Sequence, residues 1–181
     1  AYCSFVSQAV EKTFRLMDPY LDVLCREITD AARMVRETGL RVKSFYMGGG
    51  TPTTLSAQQM DRLLTHLNRS FDLSDCAEYC VEAGRPDTIT REKLEVLRAA
   101  GVTRLSVNPQ TMSDRVLETI GRRHTAQDVI SAMETARSVG GFAINMDLIA
   151  GLPGDDPEGF EYTLRRVLEL RPENITVHTL A

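Results

Sequence analysis

The sequence predicts an α/β fold around a parallel sheet, on three observations. Short apolar runs alternate along the chain with segments whose apolar residues recur at helical spacing. Capping and stop residues stand at the junctions, where a helix or a strand should begin or end. No linker, low-complexity stretch or composition break interrupts the alternation, so residues 1–181 read as one domain. Repeated strand–helix–strand units imply right-handed crossovers, and these make the strands parallel.

Each element has a local reason. Asp18-Pro19 places an N-cap before a proline at the first helical position. Leu21, Leu24, Ile28, Ala32 and Val35 then share one face, and Gly39 ends the helix. Residues 42–47 form a short buried strand running into Gly48-Gly49-Gly50. Ser56 with Gln59 makes a capping box, and Leu55 with Met60 a hydrophobic staple, for a helix that buries Leu63, Leu64 and Leu67. Residues 79–83 are the second strand, followed by Gly84 and Pro86 as loop signals. Thr90 caps a helix carrying Leu94 and Leu97 that stops at Gly101, and residues 104–107 are the third strand. Ser113 opens a short helix, and Thr125 with Asp128 opens a longer one bearing Val129, Ile130, Met133 and Ala136. Residues 142–149 are the fourth strand, ending in Gly151-Leu152-Pro153-Gly154. Asp156-Pro157 starts the last helix, and residues 174–179 are the fifth strand. Five such strands make either an open doubly wound sheet or the arc of a barrel. In both, ligands gather at the C-terminal ends of the strands.

Composition narrows the class of protein. With 43% apolar and 25% charged residues, the chain is neither disordered, collagen-like nor disulfide-dense. No apolar run approaches the ~20 residues that span a membrane. A net charge of −4 argues against nonspecific nucleic-acid binding, which needs a basic surface. The 18 Arg against 3 Lys supply rigid forks for carboxylates or phosphates. Cys3, Cys25, Cys76 and Cys80 are too few, in too large a chain, for a secreted disulfide framework, which points to a reducing, cytoplasmic setting. Cys76 and Cys80 have a spacing that invites a metal, but the apolar run around Cys80 and the helical face around Cys25 favour packing. The chain opens on Ala1 with Cys3 in what reads as a loop, so the expectation is a piece of a longer protein.

The strand ends deliver a consistent polar set. The first gives Gly48-Gly49-Gly50-Thr51-Pro52-Thr53, where glycines let backbone N–H and C=O groups approach a ligand directly. No Lys-Ser/Thr follows, so it is not a nucleotide-triphosphate loop. The second gives Glu82, the third Asn108 and Gln110 around Pro109, and the fourth Asp147. Carboxylates inside apolar strands need a partner, and Arg122 in the loop before the fourth strand is the nearby cation; a purely structural ion pair is the alternative. Carboxylates suit an ammonium group or ribose hydroxyls, and Arg suits a carboxylate. Together these residues fit a zwitterionic, ribose-bearing ligand. His124 reads as a packing or capping residue.

At these residues the chain resembles the radical S-adenosylmethionine (SAM) enzymes, in the branch of the oxygen-independent coproporphyrinogen III oxidases. Ala1-Tyr2-Cys3-Ser4-Phe5 resembles the end of that superfamily's three-cysteine cluster loop. The Gly48–Thr53 string is similar to its glycine motif. Glu82, Gln110, Arg122 and Asp147 match its SAM contacts, and Gly151-Leu152-Pro153-Gly154 completes the order. The Asn108-Pro109-Gln110-Thr111-Met112 string looks most like the HemZ-type coproporphyrinogen dehydrogenase subgroup.

The resemblance implies a partial (β/α)6 radical-SAM barrel whose first strand and C-terminal region lie outside this chain. It implies a [4Fe–4S] cluster with Cys3 as third ligand and Tyr2 beside it, and SAM chelating the remaining iron. Gly49, Gly50 and Thr51 would surround the amino-acid end of SAM, Glu82, Gln110, Arg122 and Asp147 its ribose and polar ends, and Ala181 its adenine. The implied activity is that of an oxidoreductase of heme biosynthesis. A porphyrinogen substrate, coproporphyrinogen III, would lose CO2 from two propionates to give vinyl groups, with electrons from a flavodoxin- or ferredoxin-like donor. No catalytic side chain beyond this cofactor site is implied. With two cluster cysteines outside the chain, residues 1–181 alone are expected neither to hold a stable cluster nor to turn over. Two other readings stand: a heme chaperone of the HemW type on the same barrel, and a doubly wound nucleotide-binding domain without a cluster.

Overall fold

A computed structural model of the chain describes residues 14–180. Five parallel strands, β1 (Ser44–Met47), β2 (Glu78–Ala83), β3 (Arg104–Gln110), β4 (Ala143–Ala150) and β5 (Asn174–Thr179), lie side by side in chain order. That order discriminates between the two architectures. A doubly wound sheet reverses direction at a switch point, whereas a sheet that only advances under right-handed crossovers keeps its helices on one face and curves as a barrel wall. The described residues form such an advancing wall, as expected for part of a (β/α)6 barrel.

The helices are α1 (Met17–Glu37), α2 (Ala57–Ser70), α3 (Arg91–Ala99), α4 (Asp114–Thr119), α5 (Ala126–Val139) and α6 (Pro157–Glu169). Register and alternation give the sheet two unlike faces. The row Val81, Leu105, Ile144 and the row Ala83, Val107, Met146 point to the helices and are at most 1% exposed. All but Ala83 belong to one core with Leu21, Met60, Leu64, Leu94, Leu97 and Met133. The alternate row, Glu82, Ser106, Asn145 and Asn174, projects from the opposite face. Hydrophobic burial holds the helical side, which leaves the other side available for polar chemistry.

The local signals mostly act as read. Ser56 and Gln59 form a reciprocal capping box at α2, and Thr125 and Asp128 form one at α5. Leu55 and Met60, the stapling pair, are both buried. Three elements differ from the sequence reading. The first strand, expected buried over residues 42–47, spans only Ser44–Met47 and none of its residues is buried, because it lies at the end of the sheet and pairs on one side only among the described residues. A 3-10 turn at Phe14–Leu16 feeds α1, so the helix starts at Met17 and Pro19 sits third in it. A proline is tolerated there because the first N–H groups of a helix have no intrahelical acceptor. The third strand does not stop at residue 107 but continues to Gln110, because the register with β4 slips between Val107 and Gln110. That slip is a bulge, and it carries Asn108 and Pro109.

A second apolar cluster of Val116, Leu117, Ile120, Ile149 and Leu152 fastens α4 beneath the C-terminal end of β4. It fixes where the 121–124 loop lies. The exit of β3 is fastened too. Thr163 of α6 shares a hydrogen bond with Thr111 (3.0 Å) and accepts the Met112 N–H (3.1 Å), fully out of solvent.

Candidate functional site

The C-terminal ends of β1 to β4 form one edge, and the predicted ligand residues within the described range collect along it. Gly48 follows β1 and crosses between two side chains. A Cβ there would lie 2.4 Å from Tyr46 Cε1 and 3.1 Å from the Glu82 carboxyl, so only glycine passes without displacing them. Gly49 has a φ of +114°, and a Cβ on Gly49 or Gly50 would meet nothing within 4 Å. The backbone of the loop therefore fronts open space. Its exit is anchored: Thr53 Oγ1 lies 2.6 Å from Thr88 Oγ1, and Lys93 Nζ donates to the carbonyls of Thr53 (2.6 Å) and Thr88 (3.1 Å). Thr51, extended at φ −165°, turns its hydroxyl onto the Gly50 carbonyl at 2.5 Å.

Glu82, at the end of β2, accepts a hydrogen bond from the Tyr46 hydroxyl. Desolvation, and then that bond and the Glu82 charge, push the Tyr46 phenol well above its ordinary pKa. It stays protonated and remains a donor. Gln110 closes the bulge with φ +69°, a left-handed backbone in a side chain that is 6% exposed. Such a conformation in a residue other than glycine is costly and concentrates at functional positions. Just before it, the Pro109 carbonyl lies 3.3 Å from His124 Nε2. Only an N–H can satisfy a carbonyl, so neutral His124 carries its proton on Nε2. Burial depresses its pKa, the Arg122 charge adds to that, and Nδ1 is buried without a partner. Arg122 itself donates from Nη1 to the Gly84 carbonyl at 3.4 Å, which brings it to the exit of β2.

Asp147 of β4 accepts from Asn145 Nδ2 at 2.6 Å and from Ser106 Oγ at 3.4 Å. Both strand carboxylates thus take their hydrogen bonds from neutral donors, where the sequence pointed to Arg122. Ser106, Asn145 and Asp147 also line an open cavity of about 330 Å³ on the polar face, together with Tyr46 and Arg104. Tyr46, Ser106 and Asn145 are site residues that sequence reasoning missed. The available signal was the period of two: in β3 and β4 the polar residues fall at alternate positions, 106 and 108, then 145 and 147.

Tyr2, Cys3 and Ala181 lie outside the described residues. Among the described residues no group of three His, Cys, Asp or Glu side chains could hold a metal ion. Cys25 is buried in α1, Cys76 precedes β2, and Cys80 lies within β2, paired with Tyr46 and lining the same cavity as Asp147. Burial, aided by the charge of Glu78, pushes the Cys80 thiol up to about 11. The edge nevertheless suits one kind of ligand. Carboxylates face ammonium or hydroxyl groups, a guanidinium matches a carboxylate, and an open glycine backbone borders both. SAM has each of these groups. No helix among the described residues is long and apolar enough to cross a membrane.

The family profile described as the radical SAM superfamily matches residues 1–167. The oxygen-independent coproporphyrinogen-III oxidase-like protein HemZ of Bacillus subtilis is 41% identical over 182 residues, covering 100% of this chain and 36% of that protein. The heme chaperone HemW of the same organism is 38% identical over 180 residues, covering 99% of this chain and 46% of the chaperone. Among solved structures, coproporphyrinogen III oxidase (HemN) from Escherichia coli, described as a radical SAM enzyme, superposes with a TM-score of 0.85 at 34% identity, over 99% of this chain and 41% of that one. The chain therefore spans less than half the length of these three proteins.

Proposed function

The chain belongs to the radical SAM superfamily, whose cofactors are a [4Fe–4S] cluster and SAM, and we propose that it is the cofactor-binding part of an oxygen-independent coproporphyrinogen III oxidase. The observation that carries this reading is the single strand-end edge shared by Gly49, Gly50, Glu82, Gln110 and Asp147. When bound and reduced, the cofactor pair supplies radical chemistry able to take hydrogen from an unactivated C–H bond.

The residues of this chain bind and orient. The backbone of Gly49 and Gly50, with Thr51, borders the amino-acid end of SAM. Glu82, Gln110 and Asp147 take its ammonium and hydroxyl groups, and Arg122 pairs with its carboxylate. Tyr46, kept protonated, holds one oxygen of Glu82 and leaves the other for the ligand. On the same reading Cys3 would be a cluster ligand, and Tyr2 and Ala181 would be cofactor contacts. The substrate is a porphyrinogen whose propionates become vinyl groups with loss of CO2, and the electrons enter from a flavodoxin- or ferredoxin-like protein.

The 38% identity to a heme chaperone supports a second reading, in which the same barrel carries heme without decarboxylating anything. Anaerobic incubation of the full-length, cluster-loaded protein with coproporphyrinogen III, SAM and a reductant separates the two. A vinyl-bearing product that depends on SAM is the result expected of the oxidase. Stoichiometric heme binding with no product would reject it in favour of the chaperone.

A further inference from the structure

The two carboxylate oxygens of Asp147 are not left to find their own direction. Asn145, two residues earlier and 5% exposed, projects from the same face of β4 and donates Nδ2–H to Asp147 Oδ1 at 2.6 Å and to Ser106 Oγ at 2.9 Å. Ser106 in turn points its hydroxyl at Asp147 Oδ2 (3.4 Å) and Asn108 Oδ1 (3.2 Å). On the other side, Asn145 Oδ1 accepts from Asn174 Nδ2 at 2.5 Å and from Thr176 Oγ1 at 2.9 Å. The orientation of the amide follows from chemistry. An ionised carboxylate only accepts, so the Asn145 atom facing Asp147 must be the nitrogen, and the oxygen is then left for the two donors of β5. Every polar atom of the Asn145 side chain is engaged, across three adjacent strands. A buried amide held at both ends cannot rotate cheaply, because a flip would set oxygen against carboxylate and leave two donors on β5 without acceptors.

We propose that Asn145 is a positioning residue for cofactor binding: gripped by Asn174 and Thr176, it aims the Asp147 carboxylate along the strand-end edge toward SAM. The inference rests on the reading of Asp147 as a SAM contact. It adds that the side-chain geometry of β4 at the site is set from β5, a strand that supplies no ligand of its own among the described residues.

The test is a double-mutant cycle in the full-length, cluster-loaded protein, with SAM binding read by equilibrium dialysis. Asn145→Ala is expected to weaken SAM binding about tenfold, and to cause no further loss in an Asp147→Ala background. An unchanged Asp147→Ala protein would reject the role of Asp147 and this inference with it. A weakened Asp147→Ala beside an unaffected Asn145→Ala would reject the inference alone. So would an Asn145→Ala loss that persists undiminished once Asp147 is gone, since that is the behaviour of a residue that merely supports the sheet.

Asn145→Asp covers the case in which the alanine variant fails to fold. It keeps shape and the β5 bonds but sets a second acceptor against Asp147. Its SAM binding is expected to be weak near neutral pH and to recover relative to wild type as the pH falls, when the new carboxyl gains a proton to donate. The titratable groups facing the same cavity, Glu78, Cys80, Arg104, Tyr46, His178 and Asp147 itself, with Glu82 beside them, are common to both proteins, so the difference profile reports position 145. A difference profile that is flat with pH would overturn the proposal.

Discussion

Replacing Gln110 by glycine and, separately, by alanine measures what its left-handed backbone costs. At φ +69° a Cβ crowds the following carbonyl, a penalty of about 1–2 kcal/mol for an L-residue. Glycine escapes it but has more freedom to lose on folding, about 0.5–1 kcal/mol relative to alanine. Both variants lose the same side chain beyond Cβ, so their difference isolates the backbone. Taking the midpoints of the two effects, the glycine variant should be the more stable by about 0.75 kcal/mol. In an ordinary strand position the order is the reverse. The assay is urea unfolding of the two otherwise identical proteins, where a shift of midpoint at constant slope reads stability alone. SAM binding should fall in both variants equally, because both lack the amide. An alanine variant as stable as the glycine variant, or more so, would refute the claim that strain is held at position 110. A glycine variant that is more stable yet binds SAM poorly would mean that the strained conformation is kept for the side chain it presents.

The remaining predictions are briefer. Arg122→Ala should weaken SAM binding by about 1.5–3 kcal/mol, measured by equilibrium dialysis; unchanged affinity would remove Arg122 from the site. Thr163→Val leaves the buried Met112 N–H without its acceptor and should cost about 1–3 kcal/mol in urea unfolding, with little effect on the slope. Asp128→Ala deletes the acceptor of the Thr125 N–H at 2.7 Å and should cost about 1 kcal/mol near neutral pH. That bond holds the Asp128 carboxyl below its ordinary 3.8, so its contribution is complete above that pH and is lost as the pH falls through the lower folded value. Wild type and Asp128→Ala should therefore converge in stability in strong acid, and a constant gap would contradict the assignment.

What could be read from the residues alone divides by distance along the chain. The capping boxes at Ser56 and Thr125 were legible because donor and acceptor lie three residues apart. The strand ends were legible because glycine and polar residues interrupt apolar runs, and that located Gly49, Glu82, Gln110 and Asp147. The bulge was not. Val107 and Gln110 slip against β4 only once a strand some forty residues away is paired to them, and locally Pro109 alone hints at it. The partners of the carboxylates were hidden for the same reason. Arg122 was the obvious cation, yet Asp147 is held by Ser106 and Asn145, whose meeting depends on the register of β3 against β4. The start of α1 was misplaced because Asp18-Pro19 is a strong local signal, overridden by the turn that precedes it.

The alternation between an apolar and a polar face also divides the kinds of mutation this sheet can absorb. Substitutions at 82 and 147 change chemistry while leaving Val81 and Met146 packed as they are, whereas Ser106 and Asn145, each 5% exposed and bonded to the other, cannot change without leaving buried partners unsatisfied. Insertion or deletion of a single residue within β4 has no such latitude. It would exchange the two rows, turning Asp147 into the core and Met146 toward the ligand. Lineages built on this scaffold should accordingly vary in loop length beyond the strand ends, and keep the spacing within the strands invariant.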